Sequence, residues 1–233
     1  MSTNDTGADA LQSRVFLEGE GDRWFERNRH ALLEADWASD APLRLLDTHG
    51  VQPVRAFEVG AANGYRLAAL HSRFGCEAYG IDASSSAVAD GMARFPGVHL
   101  QAAPSHAIPF ADAMFDLVVA NFVLHWVDRA LLLRTLAEMD RVLVDGGLLL
   151  IGDFLPDEPT RRPYHHLPGR DVHTYKQDYA AVFLATRCYE PMATLSGAHS
   201  PDAQAGAVSG RDRIATQLLR KRLRTLYVED AGA

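Results

Sequence analysis

Short apolar runs alternate with helix-like segments through the middle of the chain, and this alternation constrains the fold most. Apolar runs of strand length are Val54–Val59, Glu77–Asp82, Gly97–Gln101, Phe115–Phe122 and Gly147–Phe154. Helical spacing predicts helices over Tyr65–Phe74, Ser84–Arg94 and Asp128–Leu143. Repeated β-α-β order implies an α/β fold with a doubly wound, Rossmann-like, mostly parallel sheet. Such sheets bind ligands beyond the carboxyl ends of their strands.

A turn of small residues, Gly60 to Gly64, leaves the carboxyl end of the first predicted strand. Small side chains allow a ligand to approach the backbone, and the helix that follows points its free N–H groups into the same space. The second strand ends in Asp82, whose carboxylate can accept hydrogen bonds from both hydroxyls of a ribose. The pair of features predicts a nucleoside site, although an ordinary strand-to-helix turn beside a surface aspartate would give the same spacing.

Composition limits the remaining classes of function. The chain has 233 residues, 47% of them hydrophobic, which suits one large core, and its formal net charge of -7 argues against nucleic acid as a partner. Two cysteines, Cys76 and Cys188, are too few for a disulfide framework or a metal-ligand pattern, so no metal is predicted. No leader and no apolar run of roughly 18 residues is evident, which predicts a cytoplasmic protein without a membrane partner.

The turn belongs to a longer motif, E-x-G-x-A-x-G from Glu58 to Gly64, which differs from the G-x-G-x-x-G of dinucleotide-binding proteins. The segments "GIDASSSAV", "IPFADAMFDLVVANFVLHWV" and "MDRVLVDGGLLLIGDF" follow it in order. Together these motifs, over about Arg55–Phe154, resemble the class I S-adenosylmethionine-dependent methyltransferases. Ala62 departs from the family's G-x-G-x-G loop. The resemblance implies methyl transfer from S-adenosylmethionine to an oxygen or nitrogen of a small molecule.

The resemblance also implies which residues contact the cofactor. In the family the loop lies against the methionine part, the acid at Asp82 holds the ribose, and the next residue borders the adenine. Ala102 and Ala103 stand where the family often has an acid for the adenine amino group, so backbone groups or a side chain such as Ser105 or His106 are predicted to take that role. The predicted cofactor-binding set is Glu58, Gly60, Ala62, Gly64, Asp82, Ala83, Ser105 and Asn121.

His125, in "NFVLHWV" just beyond the fourth strand, is the candidate catalytic base for an acceptor that carries a proton. In-line transfer of a methyl group requires mainly alignment and exclusion of water, so a base is not obligatory. The alternative is a histidine packed beneath the following helix. Both interpretations remain open at this point.

Acceptor recognition is expected in the segments on either side of the sheet core. Residues 1–50 are predicted to form an N-terminal helical cap, and residues 51–233 the cofactor-binding domain, with a substrate-binding insertion at about 155–187. Phe16–Ala35 shows the pattern of an amphipathic helix. The candidate acceptor-binding residues are Trp24, Arg29, His165, His166, His173 and Tyr175. The cationic character of the insertion suits an anionic or polyhydroxylated acceptor, whereas a solvated loop is the simpler interpretation.

The C-terminal part contains two further apolar segments, Tyr189–His199 and Arg213–Leu223. By resemblance they form an antiparallel hairpin at the edge of a seven-stranded sheet, while their periodicity also allows a helix. Two other functions stay open. One is a catalytically inactive, methyltransferase-like binding or assembly protein, suggested by Ala62, and the other is a nicotinamide-dependent oxidoreductase, disfavoured by Glu58. The oligomeric state does not follow from the sequence.

Overall fold

The computed structural model describes residues 11–34, 36–199, 210–211, 213–224 and 226–227. Helices are α1 (Leu11–Val15), α2 (Gly21–Glu34), α3 (Ala41–Thr48), α4 (Tyr65–Phe74), α5 (Ser85–Arg94), α6 (Leu132–Val142) and α7 (Ala180–Ala185). Strands are β1 (Arg55–Val59), β2 (Glu77–Asp82), β3 (Val98–Ala102), β4 (Phe115–Asn121), β5 (Leu143–Phe154), β6 (Thr160–Pro163), β7 (His173–Lys176), β8 (Tyr189–Ala198) and β9 (Arg213–Lys221). The predicted cap residues 1–10 and most of the predicted connection 200–210 lie outside the described residues.

Seven strands form one sheet in the order β3-β2-β1-β4-β5-β9-β8, and β6 pairs with β7 in a separate hairpin. The first five strands of that order are parallel, whereas β9 runs antiparallel to both β5 and β8. The predicted α/β, Rossmann-like, mostly parallel sheet with an antiparallel C-terminal edge is therefore confirmed. The periodicity of β9 allows either a strand or a helix. The segment is extended because it pairs with both β5 and β8.

The core lies on both faces of the sheet, because successive side chains of a strand point to opposite sides. In β4, Val118 packs into the layer that contains Phe57 and Phe115, and Val119 packs into the layer that contains Leu67. All five of these residues are fully buried. Burying each large side chain contributes about 1.5–3 kcal/mol, so the two layers hold the carboxyl ends of the central strands in a fixed arrangement.

The N-terminal segment differs from the single helix that the sequence predicts over Phe16–Ala35. A π-helical turn, Phe16–Glu20, precedes α2, and Gly19 within it has a φ of 149°. Helix α2 begins at Gly21, where a β-carbon would lie 3.2 Å from the Ser84 nitrogen. The helical pattern is interrupted at Gly19, whose φ is one that few residues other than glycine adopt. Gly21 packs directly against the backbone just after β2.

The predicted insertion also forms more strand than its sequence suggests. His173–Lys176 pairs antiparallel with Thr160–Pro163, and the sequence pattern near Tyr175–Arg187, which predicts a helix, forms one only over Ala180–Ala185. Pairing with β6 satisfies backbone groups that a helix would otherwise satisfy internally. Among the described residues, no helix is long and apolar enough to cross a membrane.

Candidate functional site

One cavity of about 340 Å³ opens at the carboxyl ends of β1, β2 and β4. It is bounded by the loop after β1, by the end of β2, and by side chains from the N-terminal segment and from residues 103–131. Most of the predicted cofactor-binding residues line it: Gly60, Ala62, Asp82, Ala83, Ser105 and Asn121. Of the predicted acceptor-binding residues, Trp24 lines the same cavity. The topology therefore brings together groups that are up to about a hundred residues apart in the chain.

Three residues of the loop after β1 have left-handed backbone conformations. Gly60 has a φ of 70°, Ala62 of 49° and Gly64 of 73°. The backbone nitrogens of Gly60 and Ala61 donate to the Ile81 carbonyl oxygen at 2.9 and 3.0 Å. These contacts fix the loop on β2, so that its backbone faces the cavity instead of folding into it.

Ala62 is the one non-glycine residue of this loop with a positive φ, and that conformation costs an alanine roughly 1 kcal/mol. We therefore expect Ala62→Gly to increase the free energy of unfolding by up to about 1 kcal/mol, less the backbone entropy that glycine loses. Urea unfolding measures the change. Ala68→Gly, within α4, is the matched control and should lower stability. A loss of stability in both variants would show that the loop conformation is unstrained.

Asp82 joins the loop to the end of β2. Its Oδ2 accepts a hydrogen bond from the Ala62 nitrogen at 2.7 Å, and its Oδ1 accepts one from the Ser84 nitrogen at 2.8 Å. Burial raises the pKa of this carboxyl above its ordinary value, although the backbone hydrogen bonds from Ser84 and Ala62 act in the opposite direction. Each carboxylate oxygen retains acceptor capacity toward the cavity, as a ribose diol requires.

Glu58 lies behind the cavity in a buried ionic cluster. Its Oε1 accepts from Arg66 Nη1, and Arg66 also donates from Nη2 to Asp40 Oδ2 at 2.8 Å. Tyr65 donates its hydroxyl to the same Asp40 oxygen at 2.9 Å. Tyr65 and Arg66 line the cavity, whereas Glu58 does not, so Glu58 acts on the cavity through Arg66. Two carboxyls share one guanidinium here, and burial raises the pKa of Glu58 to about 7.

The raised pKa of Glu58 predicts a pH dependence of stability. Because the folded-state pKa is about 7 and the ordinary value is 4.5, the folded protein binds the proton more tightly than the unfolded chain does. The contribution of this carboxyl to stability is therefore present below pH 4.5 and is lost as pH rises to about 7. Urea unfolding between pH 5 and pH 8, about the range in which proteins are most stable, should show a flatter profile for Glu58→Gln than for the wild type. Glu77→Gln, at an exposed position of β2, is the control, and parallel profiles for all three proteins would contradict the assignment.

The N-terminal segment forms one wall of the cavity and is fastened at several points. Gln12 donates from Nε2 to the backbone oxygens of Trp126 (2.8 Å) and His173 (2.9 Å). Asp22 accepts from the Ser84 hydroxyl at 2.6 Å, at the start of α5. That hydrogen bond lowers the pKa of Asp22, so the carboxylate is ionised. These ties hold the aromatic side chains of Phe16 and Trp24 against the cavity.

His125 lies beneath this site and does not line the cavity. It is 2% exposed, and its Nδ1 donates to Asp153 Oδ1 at 2.9 Å. Its ring packs against the rings of Phe122, Trp126 and Phe154. The hydrogen bond to Asp153 fixes the orientation of the imidazole. This placement matches the packed alternative, and a role for His125 as a base stays a prediction.

The remaining candidates from the flanking segments lie outside the cavity lining. Arg29 forms an ion pair with Asp90 of α5, an arrangement that holds α2 against α5. His165 and His166 are exposed, whereas His173 and Tyr175 are partly exposed on β7. Their contact with an acceptor stays a prediction.

Several residues that line the cavity were not predicted from the sequence. Phe16, Tyr65, Arg66 and Trp126 line the cavity, and so does Phe122, whose φ of 52° is unusual for a large side chain. In the sequence, each of these residues is explained more simply as part of the apolar face of a helix or of the hydrophobic core. Tyr65 and Arg66 could have been predicted to line the site, because they lie in the first turn of the helix after the loop.

The geometry can be compared with known proteins at this point. Residues 57–151, which include the loop, Asp82 and Asn121, match the family model described as a methyltransferase domain. The matched segment supports a class I S-adenosylmethionine-dependent methyltransferase. The relation predicted from the ordered motifs is thereby confirmed. The matched segment contains the parallel part of the sheet, β1 to most of β5, and not the N-terminal wall.

Among curated proteins, a demethylmenaquinone methyltransferase of Beutenbergia cavernae is 33% identical to this chain over 131 residues, which are 56% of this chain and 52% of the relative. A malonyl-[acyl-carrier protein] O-methyltransferase of Coxiella burnetii is 33% identical over 126 residues, or 51% and 40% of the two chains. The chain thus spans about half the length of these relatives.

The solved structure of Burkholderia thailandensis 1,6-didemethyltoxoflavin-N1-methyltransferase, with 1,6-didemethyltoxoflavin and S-adenosylhomocysteine bound, superimposes with a TM-score of 0.66. The alignment covers 91% of this chain and 90% of that one at 16% identity. At this identity the likeness concerns the fold. It extends over both flanking segments as well as the sheet.

Proposed function

We propose that this protein transfers a methyl group from S-adenosylmethionine to an oxygen or nitrogen of a small-molecule acceptor. The observation that carries the proposal is the placement of Asp82 against the Gly60–Gly64 loop in the lining of the main cavity. The family of the matched segment supports the same reaction. The relatives' names include methylation at oxygen and at nitrogen, which is the reason for leaving the acceptor atom open.

The residues present fit the cofactor. In the proposed arrangement Asp82 accepts hydrogen bonds from the ribose hydroxyls, and Ala83 and Ser105 border the adenine. The loop and Asn121 hold the methionine part. The cofactor supplies an electrophilic methyl group on a sulfonium. The cavity lining carries the carboxylates of Asp82 and Asp128 beside Arg66, whose charge is matched by Glu58 and Asp40, and this balance suits a cationic cofactor.

This chain's own contribution to catalysis is alignment and exclusion of water. Phe16, Trp24, Phe122 and Trp126 give the cavity apolar walls, and Phe16 stacks on Trp126 with ring centroids 5.5 Å apart. Gln12 and Asp22 keep the N-terminal wall in place. We extend the proposal to the domain organisation: residues 1–50 form a cap, residues 51–233 the cofactor-binding domain, and residues 155–187 its acceptor-binding insertion.

The proposal is tested with labelled S-adenosylmethionine and a cell extract, followed by identification of the labelled product. S-adenosylhomocysteine should also raise the melting temperature, because a ligand at about 100 times its dissociation constant contributes roughly 2.7 kcal/mol to stability. Nicotinamide dinucleotides are the control. Stabilisation by a dinucleotide alone would favour the oxidoreductase, and stabilisation by S-adenosylhomocysteine without any labelled product would favour the inactive binding protein.

The acceptor-binding part of the proposal rests on the insertion, whose histidines suit an anionic or polyhydroxylated molecule. Replacing His165, His166 and His173 together by alanine should leave the affinity for S-adenosylhomocysteine nearly unchanged, because none of the three lines the cavity. Methyl transfer to the identified acceptor should fall. His30→Ala, at an exposed position of α2, is the matched control. Normal turnover by the triple variant would show that these histidines belong to a solvated surface.

A further inference from the structure

A second cavity, of about 260 Å³, lies on the opposite side of the N-terminal segment, between that segment and the loop after β6. It shares no lining residue with the main cavity. Val15 and Leu167 provide apolar walls, Glu20 lies in its lining, and Arg23 and Arg170 provide positive charge. Apolar walls with a few polar groups of both signs are typical of sites for small molecules.

Glu20 is the unusual group in this cavity, because it is 1% exposed and only half of its carboxylate is satisfied. Oε1 accepts hydrogen bonds from the hydroxyl of Tyr164 at 2.9 Å and from Arg27 Nη2. Oε2 has no hydrogen-bond partner within the described part of the chain. A buried acceptor without a partner costs about 1–3 kcal/mol, and most buried polar groups in folded proteins have a partner. A donor from a bound molecule would satisfy this oxygen.

Arg23 indicates what else that molecule carries. Its Nη1 lies 3.9 Å from Glu20 Oε2, within range of an ion pair but beyond hydrogen-bond distance. A strong acceptor and a strong donor thus lie side by side at the cavity, with Arg170 as a second cation. A molecule with an ammonium group next to a carboxylate matches both charges at once, whereas a simple amine or a simple carboxylate matches one.

We propose that this cavity binds a small zwitterion of the α-amino acid type, with its ammonium group on Glu20 Oε2 and its carboxylate toward Arg23 and Arg170. The modest volume favours a short side chain, which would lie against Val15 and Leu167. The site is separate from the proposed methyl-transfer site. Phe16 and Glu20 belong to one turn of the chain, so occupancy of this cavity stabilises the turn that carries a wall of the main one.

Calorimetry on the full chain tests the proposal with glycine, L-alanine and L-serine, against methylammonium and acetate as single-charge controls. We expect saturable binding of at least one zwitterion with a dissociation constant of about 1 mM or below, and none of methylammonium or acetate. Glu20→Gln retains an oxygen for Tyr164 and should weaken this binding at least tenfold. Arg170→Ala, at an exposed residue that does not threaten folding, should weaken it as well, and Glu26→Gln on the exposed face of α2 should not.

Three results would overturn the proposal. One is that no zwitterion of the panel binds, which would mean that Arg23 or water satisfies Oε2. A second is equal binding of methylammonium and the amino acids, which would make the site one for amines. A third is unchanged affinity in both Glu20→Gln and Arg170→Ala. Binding is measured without methyl donor or acceptor, so these outcomes are independent of the methyltransferase activity.

Discussion

Asp82→Ala should lower the affinity for S-adenosylhomocysteine about ten- to a hundredfold, because a hydrogen bond to a charged group contributes on the order of 1.5–3 kcal/mol. The structure adds a second reason for a loss of affinity, since the same carboxylate accepts a hydrogen bond from the Ala62 nitrogen and so holds the loop in place. Calorimetry measures the affinity. The Michaelis constant for the acceptor should change little.

Two variants separate the two roles of this side chain. Asp82→Asn keeps one acceptor oxygen and should give an intermediate loss. Asp112→Ala removes a carboxylate whose side chain is 79% exposed and should leave the affinity unchanged. If Asp82→Ala folds and binds S-adenosylhomocysteine as well as the wild type does, the end of β2 does not hold the ribose.

Gly60→Val should abolish detectable cofactor binding. The sequence suggests that the new side chain would occupy the space of the methionine moiety, but the structure gives a different cause. A β-carbon on Gly60 would lie 2.6 Å from Val123 Cγ2, and the φ of 70° is strongly unfavourable for a β-branched residue. The loop would have to move, and with it the backbone that faces the cavity.

A matched glycine and a second-site change test this explanation. Gly75 has a φ of 67° with nothing within 4 Å of an added β-carbon, so Gly75→Val should lower stability without lowering cofactor affinity. Combining Gly60→Val with Val123→Ala should restore part of the binding if the steric contact dominates. Unchanged affinity in a folded Gly60→Val protein, measured by calorimetry, would show that the loop does not contact the cofactor.

The sequence predicts the sheet well because each feature it uses is local. Most side chains of the central strands β1 and β4 are buried, and Asp82 is the last residue of β2. The glycines of the loop indicate where the backbone needs a positive φ, and Gly60 and Gly64 both have one. By contrast, the helix pattern of Phe16–Ala35 did not predict the turn at Phe16–Glu20, because the apolar spacing does not register the positive φ of Gly19 or the close packing of Gly21 on the backbone beyond β2.

The interpretation of Glu58 shows the same limit. Its sequence position suggests direct contact with the cofactor, and whether it makes one stays a prediction. The structure places Arg66 between Glu58 and the cavity, and Asp40, from a separate helix, shares the guanidinium. The motif "FEVGAANG" contains no information on the position of Asp40. The raised pKa of Glu58 could therefore not be predicted from the motif.

The strands of the parallel core, the loop of small residues after the first strand and the resemblance to the family could thus be predicted from the sequence, because periodicity, turn chemistry and motif order depend on neighbouring residues. Only the tertiary structure decided which long-range partners meet. It placed His125 against Asp153 beneath the cavity and joined Gln12 to the backbone of Trp126 and His173. It also left Glu20 Oε2, at a second cavity, without a hydrogen-bond partner among the described residues. The contacts of Gln12 join segments more than a hundred residues apart, whereas His125 and Asp153 are 28 residues apart. The energies of all these contacts depend on burial that no local pattern contains.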